Sequence, residues 1–311
     1  MQTRALERLL AVRTARSAAR RAHVKIAIYG TGPIGSAYAL HLAKAGHEVT
    51  CIARGERLAQ LSDERAIVTV EGERASIVPA GALDPTIAYD LVLVTVLAHK
   101  LDAILPALKA SAARSIVFTL NLFEPLARLE GELAGRASFG FPAIVASLEN
   151  GRLRHTIHTV AQKTIMKERR WAELFTHAGI ATAVEPAMQA WLRTHAVWIA
   201  TVLAMACEAY GRRRGLSFAE ARAYARALRA GLALVERLGD SIRPTSVHLV
   251  RALPLSLVLY ALSRTSVVKM LGPIGPAEAR ALIDAMSASA PEGALPALLA
   301  IRPRDTADTH R

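Results

Sequence analysis

The chain has 311 residues, 52% of them hydrophobic, and a formal net charge of +13. That length suits two domains, and the apolar share excludes a disordered chain. Two distant cysteines, Cys51 and Cys207, exclude a disulfide scaffold and suit a reducing, cytoplasmic setting.

The basic balance favours anionic ligands. With 5% aromatics and no nucleic-acid motif, a nucleic-acid partner is not expected. No apolar run reaches the roughly 18 residues that span a bilayer. The longest, Ala196–Cys207, has 12 residues and reads as a buried helix, so no membrane partner is expected either. The first 22 residues hold six arginines and one acid, a basic and disordered leader ahead of a domain that begins at His23 or Val24.

Val24–Tyr29 predicts a strand, Ile34–Ala45 a helix closed by Gly46, and Glu48–Ala53 a second strand. Ala66–Val70 and Ala75–Val78 read as a hairpin around Glu71–Gly72. Asp90–Val96 is almost unbroken apolar, as in a central parallel strand covered on both faces. Leu101–Lys109 is helical and Ser115–Leu120 is the next strand. This alternation predicts an α/β fold with an open parallel sheet. Gly140–Ile180 is expected to finish the sheet, with an amphipathic helix over Lys167–Ala178. After about residue 185 the pattern turns helical: Ala187–Leu238, Pro254–Ser263 and Pro276–Met286. The expected division is a leader at 1–22, a Rossmann domain at 23–185, an all-α domain at 186–302 and a loose tail at 303–311.

Gly30, Gly32 and Gly35 form GxGxxG between a strand and a helix. The first glycine permits the turn, the second a close approach of backbone to pyrophosphate, and the third tight helix–strand packing. The helix N-terminus offers N–H groups to the phosphates. Gly30, Thr31, Gly32, Pro33, Ile34 and Gly35 are therefore the expected phosphate-binding turn. The second strand ends on Arg54, with Arg57 close behind, and carries no acid at its tip. A guanidinium there pairs with a ribose 2′-phosphate, which a carboxylate would repel. The expected cofactor is NADP.

The glycine loop and "ARGERL" together resemble the ketopantoate reductase family of NADP-dependent 2-oxoacid reductases. "DLVLVTVLAHKLDAIL", "SIVFTLNLFEPLARL", "GRLRHTIH", "QKTIMKE" and "AWLRTHAVW" resemble later family segments in order, over roughly residues 24–240. The resemblance implies a Rossmann domain followed by a helical domain, with substrate between them. It also implies that Asn121 reaches the nicotinamide.

Several positions depart from the family pattern. Leu97 stands where the family has a lysine near the cofactor, with Lys100 three residues on, and Leu122 replaces the glycine after Asn121. Arg193 matches the family's general-acid lysine, and Val197 matches its substrate-binding asparagine. The family's late Ser and Glu substrate contacts have no convincing counterpart. An arginine side chain is a poor proton donor at neutral pH but a good carboxylate clamp.

His195, whose imidazole type can donate a proton near pH 7, is the other candidate. At 100° per residue the two side chains point about 200° apart, so both cannot face one cleft. The candidate catalytic residues are His195, Arg193 and Asn121, and the candidate cofactor contacts are Gly30–Gly35, Arg54, Leu97 and Asn121. Lys100, Arg264 and Lys269 are secondary candidates, and no metal site is expected. The leading expectation is an NADP-dependent oxidoreductase of a small carboxylate substrate, a 2-oxo or 2-hydroxy acid other than ketopantoate. A non-catalytic NADP-binding module and a ketopantoate reductase with a rearranged site stay open. Ala252–Leu262 suits either a homodimer interface or the core.

Overall fold

The computed structural model describes residues 23–158, 162–212, 214–245, 247, 254–273, 275–290 and 295–304. The leader, residues 305–311 of the tail and the first two residues of the Ala252–Leu262 segment lie outside the described residues.

The first half runs β1 (Lys25–Tyr29), α1 (Pro33–Lys44), β2 (Glu48–Ile52), α2 (Gly55–Glu64), β3 (Ala66–Val68), β4 (Arg74–Ser76), β5 (Val78–Ala80) and β6 (Leu91–Val94). A 3₁₀ turn (Ala98–Lys100) leads into α3 (Leu101–Ala110), β7 (Ile116–Thr119), α4 (Ala127–Glu132), β8 (Ala137–Phe141), β9 (Ile144–Glu149) and β10 (Arg152–Ile157). It closes with β11 (Thr164–Met166), α5 (Arg169–His177) and β12 (Thr182–Val184). Helices follow: α6 (Met188–Ala209), α7 (Phe218–Arg237), α8 (Leu255–Leu262), α9 (Ser266–Leu271), α10 (Pro276–Ala288) and α11 (Pro296–Leu299).

The eight-stranded sheet has the order β12-β11-β8-β7-β6-β1-β2-β5. Its pairings from β5 to β8 are all parallel. The expectation of a fully parallel sheet fails at one joint, where β11 runs antiparallel to β8. The Gly140–Ile180 segment does not wholly finish the sheet either, because β9 and β10 form their own antiparallel hairpin. The hairpin packs on α1 and helps cover one face of the sheet. Strand alternation places Ile26 and Ile28 on that face, with Tyr38 and Phe175, while Ala27, Val92 and Val94 face Leu101, Ile104 and Trp191 on the other. Both faces are dry, which is why β6 is apolar at every position.

The helical half is built around α6, which packs against α7, α9 and α10. A capping box, Ser217 with Glu220, starts α7. Gly231 of α7 lets α6 approach closely, since a Cβ there would lie 2.6 Å from Val197 Cγ1. The 22-residue α6 holds an 18-residue window of mean hydropathy 1.3, so by length and composition it could cross a membrane. Here 78% of its most apolar window is buried in the protein, so its apolar character serves the core. In α8, Leu255 and Leu259 are buried while Leu257 is half exposed.

Candidate active site

The glycine turn sits between β1 and α1, at the carboxyl end of the sheet. Gly30 has a φ of +104°, and a Cβ there would come within 2.8 Å of Val96. A Cβ on Gly35 would collide with the Gly30 carbonyl and lie 2.7 Å from Thr95 Oγ1, so this glycine is required by helix–strand packing. Gly32 differs: a Cβ there meets nothing within 4 Å, so the turn is open at this point. The N–H groups of Ile34 and Gly35 belong to the first helical turn, which has no intrahelical acceptors for them. Pro33 supplies no donor but presets the helical φ.

Thr31 corrects one expectation. It is buried, and its N–H and hydroxyl both donate to the Ile52 carbonyl, each at 3.1 Å. Its donors therefore tie the turn to β2 rather than face a cofactor. Arg57 is likewise structural, donating to Thr31 O at 3.1 Å, Ser36 Oγ at 2.8 Å and Gly151 O at 2.9 Å. It locks the turn from behind to the β9–β10 hairpin. Arg54, the N-cap of α2, is exposed at the tip of β2 and makes no ion pair among the described residues.

A cleft of about 180 Å³ opens where β6 and β7 end, with α10 as its opposite wall. Leu97 and Asn121 line it together. Asn121 Nδ2 donates to Glu278 Oε1 at 2.6 Å, and Asn121 Oδ1 is buried with no partner. A carboxylate only accepts, so this contact sets the orientation of the amide. Glu278, which sequence reasoning missed, thus supplies a late glutamate in the cleft. Arg128 lines the cleft too, but three carboxylates hold it: Asp102 at 3.1 Å, Glu124 at 3.3 Å and Glu132 at 3.2 Å.

Arg193 and His195 do not line the cleft. Arg193 is buried, its Nη1 paired with Asp240 at 2.7 Å and its Nε donating to the Phe123 carbonyl at 3.0 Å. Two of its guanidinium nitrogens thus serve as a structural clamp between α6, Phe123 and Asp240. The His195 ring stacks on Trp191, with centroids 4.9 Å apart, and packs against Phe141 at 4.1 Å. Burial in that stack pushes its pKa down to about 4, and its Nε2 is shut off from partners. His195 is therefore neutral at pH 7 and carries no imidazolium proton to deliver.

Val197 is fully buried against Gly231. Arg264, a secondary candidate, stacks on Tyr260, donates to the Leu216 carbonyl at 2.9 Å and does not line the cleft. Lys100 and Lys269 are exposed and line no part of the cleft. Among the described residues, no three His, Cys, Asp or Glu side chains converge as a metal site requires.

Comparison with known proteins agrees with this arrangement over the sheet. The family model for ketopantoate reductase PanE/ApbA matches residues 26–168. Over these residues the chain is similar to the ketopantoate reductase family. The 2-dehydropantoate 2-reductase of Vibrio cholerae is 29% identical over 140 residues, 44% of each chain. The match thus spans less than half of that relative's length. The ketopantoate reductase likeness continues through the helices as fold alone. The 2-dehydropantoate 2-reductase of Geobacter metallireducens superposes with a TM-score of 0.69 at 17% identity, covering 89% of this chain and 97% of that one. D-mandelate dehydrogenase, solved with NADH, superposes at 0.65 and 15% identity, covering 89% and 96%. These superpositions show a shared fold, a Rossmann-like sheet followed by a helical region.

Proposed function

We propose that the chain is an NADPH-dependent oxidoreductase that reduces a small carbonyl-type substrate in the cleft at Asn121. The observation that carries this reading is topological. The glycine turn after β1, Leu97 after β6 and Asn121 after β7 stand on three adjacent parallel strands, all at their carboxyl ends, where ligands of such sheets bind. The turn fits a dinucleotide, because Gly32 is open and the first helical turn presents N–H groups. Arg54 fits a 2′-phosphate, since its guanidinium is exposed and unpaired among the described residues. When bound, the reduced nicotinamide supplies a hydride. Asn121, held by Glu278, orients what enters the cleft, and Leu97, Leu122 and Phe123 keep its floor apolar.

The family resemblance favours a 2-oxo acid, and the altered positions Leu97, Leu122 and Val197 favour one other than ketopantoate. The displacement of Arg193 and His195 from the cleft favours a second reading, an NADPH-binding protein without turnover. Fluorescence titration with NADPH and NADH, repeated on Arg54→Ala, tests the cofactor assignment. Loss of a charge-assisted phosphate contact costs about 1.5–3 kcal/mol, roughly 10- to 150-fold. The expected result is tighter NADPH binding and its loss in the variant. Equal binding of both nucleotides, or binding of neither, overturns it. Turnover of any carbonyl compound with NADPH then removes the non-catalytic reading.

A further inference from the structure

We propose that His41 and His155 form a proton-sharing clasp that holds the β9–β10 hairpin on α1 and opens when the pair takes up a second proton. The clasp itself needs no cofactor, and only its effect on NADP binding rests on the dinucleotide reading above.

Three segments build it. His41 stands on α1, and strand alternation turns Leu153, His155 and Ile157 of β10 toward that helix, with Leu153 fully buried. His41 Nε2 and His155 Nε2 lie 2.9 Å apart, and the ring centroids are 5.1 Å apart, so the rings meet nitrogen to nitrogen. His41 Nδ1 lies 3.2 Å from the Ala178 carbonyl, in the turn after α5. A carbonyl only accepts, so Nδ1 carries the hydrogen and Nε2 of neutral His41 is bare. His155 Nε2 is then the donor to it.

That pattern fixes what each added proton does. The first enters at His155 Nδ1 and leaves the N–H···N bond in place, now charge-assisted. The second has only His41 Nε2 to enter. Two N–H groups then face each other where 2.9 Å separates the nitrogens, each ring carries a positive charge, and the bond is lost.

Burial is the largest influence on both rings and holds each below the ordinary histidine range. The charged groups that face the pair, among the described residues, are Lys44 on α1 and Glu71 and Glu73 in the turn between β3 and β4. Lys44 works in the same direction as burial, while Glu73 opposes it at both rings and Glu71 at His155. Lys44 and Glu73 are themselves an ion pair. His177, beside Ala178, turns to the Glu173 carbonyl, and β9 sets Ala146 opposite His155. The open form therefore binds protons first, and acid favours opening.

The hairpin carries this to the glycine turn. Gly151, at its tip, accepts from Arg57 at 2.9 Å, and the same guanidinium holds the Thr31 carbonyl and Ser36 Oγ. When the hairpin leaves α1, Arg57 loses that anchor and the turn loses its backing.

The test uses the full chain. At pH 7.5, ¹⁵N spectra of the imidazoles are expected to show His41 as the Nδ1–H form and His155 as the Nε2–H form, with two separated titration steps on acidification. Hydrogen exchange, corrected for intrinsic rates, is expected to show hairpin protection falling about tenfold more than that of β6 between pH 7.5 and 4.5. His155→Gln can donate to bare His41 Nε2 and, with its amide turned over, accept from the protonated ring. His41→Gln accepts from His155 in either charge state. Each variant is expected to hold the hairpin-specific loss within about twofold. Both keep His195, so its acid sensitivity cancels in the comparison. NADP affinity is expected to weaken on acidification about threefold more in the parent than in His155→Gln. Equal hairpin loss in the parent and both variants, or a neutral His41 in the Nε2–H form, overturns the clasp. Equal weakening of NADP binding in parent and variant overturns its link to the turn. Hairpin-specific opening without NADP binding at any pH keeps the clasp and removes the cofactor reading instead.

Discussion

Arg193 and Asp240 form an ion pair 2.7 Å long that joins α6 to the segment following α7, and the same guanidinium holds the Phe123 carbonyl at the floor of the cleft. Side-chain exposure is 8% for Arg193 and 19% for Asp240, so losing the acid strands the more deeply buried charge. Asp240→Asn is therefore expected to destabilise more than Arg193→Met, the larger loss being about 3 kcal/mol. Denaturant unfolding of the two single variants and the double variant measures this. An unchanged midpoint for Arg193→Met accompanied by lost turnover would return Arg193 to a catalytic role.

The glycine turn separates folding from binding by two neighbouring positions. Gly35→Ala forces a Cβ against the Gly30 carbonyl and Thr95, and is expected to cost several kcal/mol and a large fall in Tm. Gly32→Ala meets no protein atom, so Tm should stay within a degree or two. Its added methyl stands where the phosphates approach, so NADPH affinity should drop about tenfold or more. Thermal melts with and without NADPH distinguish the two. An unchanged NADPH affinity in Gly32→Ala would move the phosphates elsewhere.

His195 gives a pH dependence of stability with a definite sign. Its folded pKa is about 4, against an ordinary value of 6.5, because burial disfavours the imidazolium. Between those values the unfolded chain binds the extra proton. The His195 contribution is therefore complete above pH 6.5 and is lost progressively as pH falls toward 4. His195→Phe keeps a ring between Trp191 and Phe141 and removes the titration. Thermal melts from pH 7.5 to 4.5 should show the variant losing less Tm than the parent on acidification. Its kcat should be nearly unchanged. Parallel Tm curves would show that the ring is solvated, and a kcat loss of a hundredfold would restore it as proton donor.

The strand–turn–helix at Gly30–Gly35 and the arginine at the tip of β2 were legible because their meaning is local. A turn with φ of +104° at Gly30, a helix start at Pro33 and an apolar run at Leu91–Val94 are written in consecutive residues. Asn121 was legible through the resemblance alone, and Glu278 was not, because 157 residues separate the two. The antiparallel β11 and the detached β9–β10 hairpin were hidden for a related reason: period-2 alternation marks a strand but not its neighbour.

The sequence by itself determined the α/β-then-helical order, the glycine turn and the basic tip of β2, since each follows from propensity, periodicity or backbone freedom over a few residues. Helical geometry also required that Arg193 and His195 point apart. Only the tertiary structure decided that neither enters the cleft. That outcome depends on Asp240, Phe123, Phe141 and Trp191, and with the exception of Trp191 these come from distant segments. A charged side chain goes where a partner offsets its desolvation, and an aromatic one where it can stack. Those partners exist only once the chain has closed.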